Sequence, residues 1–158
     1  MAPTELTMMS AFDAAAGQAA SPVRLRLVSC RLERGAGATS RVTAEFAEPV
    51  TGAPLVCRQE GATCVGGDLR LAALATLDAL SHCVDGAIRL ELVGVKPMRA
   101  FDTNLMVVAL LAYQNGEVTR VIGTAITEDD QPVGVARATL HAVNRLVAPH
   151  LMRLDPFA

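Results

Sequence analysis

The side chains able to do chemistry in this chain are few and scattered. Four cysteines stand at Cys30, Cys57, Cys64 and Cys83, and three histidines at His82, His141 and His150. Zinc ligands recruited from sequence neighbours come as close-spaced pairs of cysteine or histidine. Here no two cysteines have C-x-x-C spacing, the Cys57–Cys64 interval fits no common zinc signature, and no H-x-x-x-H occurs. No metal site is therefore expected. Cys83 directly follows His82, but adjacent residues on a helix point about 100° apart, so the two do not form a dyad. Cys83 also borders an apolar stripe, where a thiol is inert. The Ser-based nucleophile elbow, the phosphate loop and the dinucleotide fingerprint are all missing. The expectation is a protein without catalytic residues or cofactor, not an enzyme.

Two short stretches offer a different chemistry. Gly66-Gly67-Asp68 and Glu128-Asp129-Asp130 each precede a run with helical periodicity. Glycine lets a ligand approach the backbone, the free N–H groups of a first helical turn attract a carboxylate, and acidic side chains hold an amine. An amino acid or small organic acid suits that combination, with Gly66, Gly67, Asp68, Gly123, Glu128, Asp129 and Asp130 as candidate ligand-binding residues. The same residue types also serve ordinary capping and turn formation.

These positions need elements to hold them. Residues 1–22 form a tail rich in Ala, Gly, Ser and Thr. Within it Glu5–Ala16 can form a short helix whose Leu6, Met8, Met9 and Phe12 make a docking face for a partner or for the protein's own surface; a mobile terminus is the other reading. From Val23 onward apolar and polar residues alternate, as in half-buried strands: Leu25 and Leu27, then Val42, Ala44 and Phe46, then Leu55 to Glu60, separated by glycine-bearing turns. A helix opens at Gly66-Gly67-Asp68, with Asp68 as the expected N-cap. Its stripe is Leu69, Ala73, Leu77, Leu80 and Val84, and Asp85-Gly86 stops it.

The order then recurs. Ile88, Leu90 and Leu92 alternate, Asn104–Tyr113 follows Pro97 to Asp102, and Asn115-Gly116 marks a hairpin into Val118–Thr127. Glu128-Asp129-Asp130 and Pro132 begin a helix reaching about Ala148, with the stripe Val133, Ala136, Leu140, Val143 and Val147. ATLDALSHCV (residues 75–84) and ATLHAVNRLV (138–147) superpose at an offset of 63, setting Ala73 on Ala136, Leu77 on Leu140, Leu80 on Val143 and Val84 on Val147. The fold class follows: α+β, two βββα repeats (residues 23–86 and 87–150) in one domain spanning 23–158, antiparallel sheets with both helices packed on one side.

A paired βββα unit finishing in Ala142-Val143-Asn144-Arg145 resembles the C-terminal regulatory, dimerising domain of 2-isopropylmalate synthase and citramalate synthase. The similarity covers roughly residues 41–147 and is clearest in the second half, at Asp102-Thr103, Gly123, and Glu128 to Asp130. In the first half Gly61 and Gly66-Gly67-Asp68 stand where the family has a Gly-x-Gly-Pro loop. Val95 takes the place of a family histidine, and the catalytic barrel of those enzymes has no counterpart here. The resemblance implies the fold and a dimeric habit.

The strand NLMVVALLAY, residues 104–113, is apolar at consecutive positions. A sheet covered on one face alternates, so both faces of this strand need cover. Leu105, Met106, Val107, Val108, Leu110, Leu111 and Tyr113 are accordingly the candidate oligomer interface of a homodimer or larger homo-oligomer; an internal strand covered by the tail or a loop is the alternative. Composition narrows partners further. Half the chain is hydrophobic (51%), a fifth charged (19%), the net charge is −2 and aromatic residues are 3%, so neither a basic field nor stacking platforms for nucleic acid are present. No basic residue precedes Arg24 and the longest strongly apolar run, Leu105–Ala112, is too short for a bilayer span. A cytoplasmic, reduced protein without membrane association is expected. It would act as an oligomerising regulatory or metabolite-binding module on a partner protein, or else as an assembly protein docked through its N-terminal segment.

Overall fold

The computed structural model describes residues 23–151. The element order is β1 (Arg26–Arg34), β2 (Thr39–Ala47), β3 (Pro54–Ala62), α1 (Gly67–Val84), β4 (Arg89–Ala100), β5 (Thr103–Gln114), β6 (Glu117–Thr127) and α2 (Gln131–Leu151). The strands form two separate antiparallel sheets, β1-β2-β3 and β4-β5-β6, each followed by its helix. The α+β architecture of two βββα units is thus the observed one. The residues of the proposed docking helix, Leu6, Met8, Met9 and Phe12, lie outside the described residues.

Turn chemistry sets the hairpins. Asn115 and Gly116 both have positive φ (53° and 80°), as a two-residue type I′ turn between twisted strands requires. Phe101 and Asp102 adopt the same left-handed conformations (51° and 57°) and make the β4–β5 turn just as tight. Strand β4 consequently runs through Pro97 to Ala100. Pro97 is tolerated because β4 is an edge strand bonded only to β5, the place in a sheet where proline is accepted.

The helix starts differ from each other. Gly66, not Asp68, holds the N-cap of α1, in a left-handed conformation (φ 75°) with no side-chain cap. Asp68 lies in the first turn, and its Oδ2 accepts a bond from Arg34 of β1 at 3.2 Å. In α2 the cap is conventional: Val133 N–H donates to Asp130 Oδ1 at 3.2 Å, and Thr127 Oγ1 donates to the Asp130 carbonyl at 2.8 Å. The helix extends past the expected end near Ala148, through Pro149 to Leu151.

Each helix covers one face of its own sheet and the two helices also pack against each other; Ala72, Ala75, Ala79, Ala136 and Ala138 are all fully buried. Helix α1 also touches β4 and α2 also touches β1, so one core joins both repeats. The repeat holds at atomic detail. Thr76 Oγ1 donates to the Ala72 carbonyl (2.9 Å) and Thr139 Oγ1 to the Val135 carbonyl (2.8 Å). Both hydroxyls are fully buried and both are satisfied by the same bond back to the preceding turn.

Candidate functional site

The seven candidate ligand residues fall in three places. Gly66, Gly67 and Asp68 sit at the start of α1, where a Cβ on Gly67 would stand 2.5 Å from Cys64 Sγ and 3.2 Å from the Ala62 carbonyl oxygen. This corner is packed, and Asp68 is engaged by Arg34. Gly123 is distant in role from both helix starts. It lies under the middle of α2, where a Cβ would fall 1.9 Å from the Ala138 carbonyl oxygen and 2.5 Å from the Ala142 nitrogen. Gly123 is therefore a packing residue, and its assignment to ligand binding is corrected by that contact.

Glu128, Asp129 and Asp130 do converge on a space. With Ile126, Thr127, Val133 and Arg137 they line a cavity of about 470 Å³ at the start of α2. Its lining combines three acidic side chains with one guanidinium, of which the Asp130 carboxylate also caps α2; such a lining offers partners for both an ammonium and a carboxylate. Arg137 was not singled out from the sequence. The available signal was its position two helical turns beyond Asp130, which puts both on one face of α2.

The predicted interface strand divides by face. Met106, Val108 and Leu110 point toward α2 and are fully buried within the chain; they belong to the core and leave the interface set. Leu105, Val107, Leu111 and Tyr113 occupy the opposite face. Register places Met98 and Ile126 beside Leu105, Ile122 beside Ala109, and Val118 beside Tyr113. Val118, Ile122 and Ile126 are 56%, 61% and 63% exposed. Sequence pattern alone does not single out these β6 residues, although the even spacing of Val118, Ile122 and Ile126 puts them on one face of a strand. Charged side chains are interspersed with this patch, Lys96 standing beside Val107. Arg89 stacks over the Tyr113 ring at 4.1 Å, and the Tyr113 hydroxyl donates to Glu91 at 3.0 Å, which raises the phenol pKa. In the register row through Leu111 lie Glu91 on β4 and Arg120 on β6.

The first repeat presents the contrary surface. Its outer face carries Arg31, Arg41, Arg58, Glu33, Glu45 and Glu60, with Arg41 bonded to Glu60.

The four cysteines are free thiols, and Cys30, Cys57 and Cys83 are buried while Cys64 is exposed. Burial pushes the Cys30 thiol up to about 12. Burial, followed by the charge and hydrogen bond of Asp78, pushes Cys57 up to about 11. Since the thiolate is the nucleophile, a chromogenic disulfide reagent at neutral pH is expected to titrate one thiol rapidly, Cys64. The other three should react only on unfolding; fast modification of two or more in the native protein would contradict their burial.

Among the described residues no helix is long and apolar enough to cross a membrane. Comparison with models of known protein families finds no match, and comparison with curated proteins finds none either.

Proposed function

We propose that this chain is a non-enzymatic, oligomerising regulatory module. Two copies associate through the outer face of the β4–β6 sheet, and a small zwitterionic metabolite at the start of α2 biases their arrangement on a partner protein. The contrast between the two outer sheet faces carries this reading. The first repeat's face is charged and suits water. The equivalent face of the second is apolar at Met98, Leu105, Val107, Ala109, Leu111, Val118, Ile122 and Ile126, with Arg89, Glu91, Lys96 and Arg120 set among them, over strands of 12, 12 and 11 residues. Three such strands give a footprint on the order of 500 Å², the same order as the ~800 Å² per partner of a stable association. A two-fold axis along β5 would lay β4 of one copy over β6 of the other. Each Glu91 would then stand opposite the partner's Arg120, so the patch is complementary to itself.

Ile126 lines the acidic cavity and also lies on the apolar face. A ligand there touches the edge of the pairing surface, the condition for coupling binding to subunit arrangement. The resemblance to dimerising regulatory domains, through Asp102-Thr103, Glu128 to Asp130 and Ala142 to Arg145, supports the same reading.

Thermal unfolding tests both parts. The midpoint should rise with chain concentration across the micromolar range, because association stabilises the folded chain by mass action. It should rise further with one member of a panel of branched-chain amino acids and short organic acids, and Arg137→Ala should abolish that second shift. A midpoint independent of concentration contradicts the pairing, and flat responses across the panel contradict the ligand.

A further inference from the structure

The two repeats disagree most where chemistry is possible. Asp78 and His82 in α1 correspond, at the same offset of 63, to His141 and Arg145 in α2. In the second repeat the exposed His141 reaches the β6 backbone, with its Nδ1 3.0 Å from the Thr124 carbonyl oxygen and 3.2 Å from the Thr124 nitrogen. That imidazole is occupied by backbone. In the first repeat the counterpart faces a side chain: Cys57 of β3, only 3% exposed.

Asp78 and His82 are one helical turn apart, and His82 Nε2 lies 3.6 Å from Asp78 Oδ1. Alone this is an exposed surface pair worth little. Cys57 changes its character, because one donor atom from each of Cys57, Asp78 and His82 lies within 4.8 Å of the other two. A thiol, a carboxylate and an imidazole thus converge from a strand and a helix, and His82 also lines a neighbouring cavity of about 230 Å³ with Glu48 and Cys83.

We propose that Cys57 Sγ, a carboxylate oxygen of Asp78 and an imidazole nitrogen of His82 bind one divalent transition-metal ion of the zinc class. Its fourth position would be held by water or an exogenous ligand from the adjoining cavity. Sulfur, nitrogen and oxygen donors in one set select a borderline ion such as Zn²⁺ over the hard cations Mg²⁺ and Ca²⁺. Bond lengths of about 2.0 to 2.3 Å put tetrahedral donors roughly 3.3 to 3.7 Å apart. The donors must therefore close by about 1 Å, which rotation of the partly exposed Asp78 and His82 side chains supplies while Cys57 stays anchored in β3. Three protein ligands with one place left open is the layout of a metal that takes a further ligand. Among the described residues this cluster occurs once, the second repeat having no counterpart, and it is independent of pairing through the β4–β6 face.

The test is titration of the full chain, stripped with chelator and kept reduced without added thiols, with Co²⁺ and then Zn²⁺. One equivalent of Co²⁺ should produce a thiolate-to-cobalt band in the near ultraviolet together with tetrahedral visible bands, and Zn²⁺ should displace it stoichiometrically. Cys57→Ala should remove the ultraviolet band. His82→Ala and Asp78→Asn, both at partly exposed positions that leave the fold intact, should weaken binding by at least the roughly 10–100-fold that even outer partners of metal sites cost. Cys64→Ser should change nothing. The proposal is overturned if no saturable single equivalent binds, if the band is lost with Cys64→Ser, or if His82→Ala and Asp78→Asn bind as wild type; each would mean adventitious binding only.

Discussion

Gly123→Ala is expected to destabilise the fold by about 3 kcal/mol or more, a large part of the ~5–15 kcal/mol that holds a domain together. The atoms it would strike are backbone: the Ala138 carbonyl oxygen at 1.9 Å and the Ala142 nitrogen at 2.5 Å, with Ala142 Cβ at 2.8 Å. No rotamer change relieves such a contact, so the middle of α2 must lift from β6. Overpacking alone costs roughly 1–3 kcal/mol. Lifting a helix whose Val135, Ala138 and Val143 are fully buried returns apolar area to water at ~25 cal/mol per Å². Gly94→Ala is the matched control in β4: nothing lies within 4 Å of its Cβ, and the effect should stay below about 1 kcal/mol. Urea unfolding of the two variants measures the difference, and similar midpoints would refute the packing of α2 on β6.

Ile122→Glu is the second large effect, and it acts on assembly. Ile122 lies mid-strand on the apolar face, beside Ala109 in the register. Removing one such side chain from a buried interface forfeits ~1.5–3 kcal/mol, and a two-fold pair loses it twice. A carboxylate facing its own copy across an apolar contact adds a desolvation cost. The dissociation constant should rise by roughly a thousandfold or more, with the folded chain itself little changed because Ile122 is exposed in the single copy.

Much of this architecture was legible as periodicity. The helical stripes Leu69 to Val84 and Val133 to Val147 share one core, and Asn115-Gly116 sits at its hairpin because few residues accept two successive positive φ values. What sequence could not divide was β5. When both faces of a strand are apolar, alternation no longer says which side meets the helix, and Met106, Val108 and Leu110 were grouped with Leu105 and Leu111 for that reason. The chain entry into α1 was misjudged because a left-handed Gly66 caps it while Asp68 serves Arg34, a choice made by β1 rather than by local preference. Gly123 showed as glycine but not as a contact. Cys57, Asp78 and His82 were invisible as a group, since only the docking of α1 on β3 brings the thiol to the carboxylate and imidazole.

Sedimentation equilibrium of wild type beside Ile122→Glu and Val56→Glu tests the central claim most directly. Val56 is exposed on the outer face of the first sheet, beside Glu45, and offers the same substitution on the charged surface. Wild type and Val56→Glu should sediment at twice the 16.6 kDa chain mass or a higher multiple, and Ile122→Glu should sediment as a single chain. A monomeric wild type throughout the micromolar range, or an assembly that Ile122→Glu leaves intact, would contradict it.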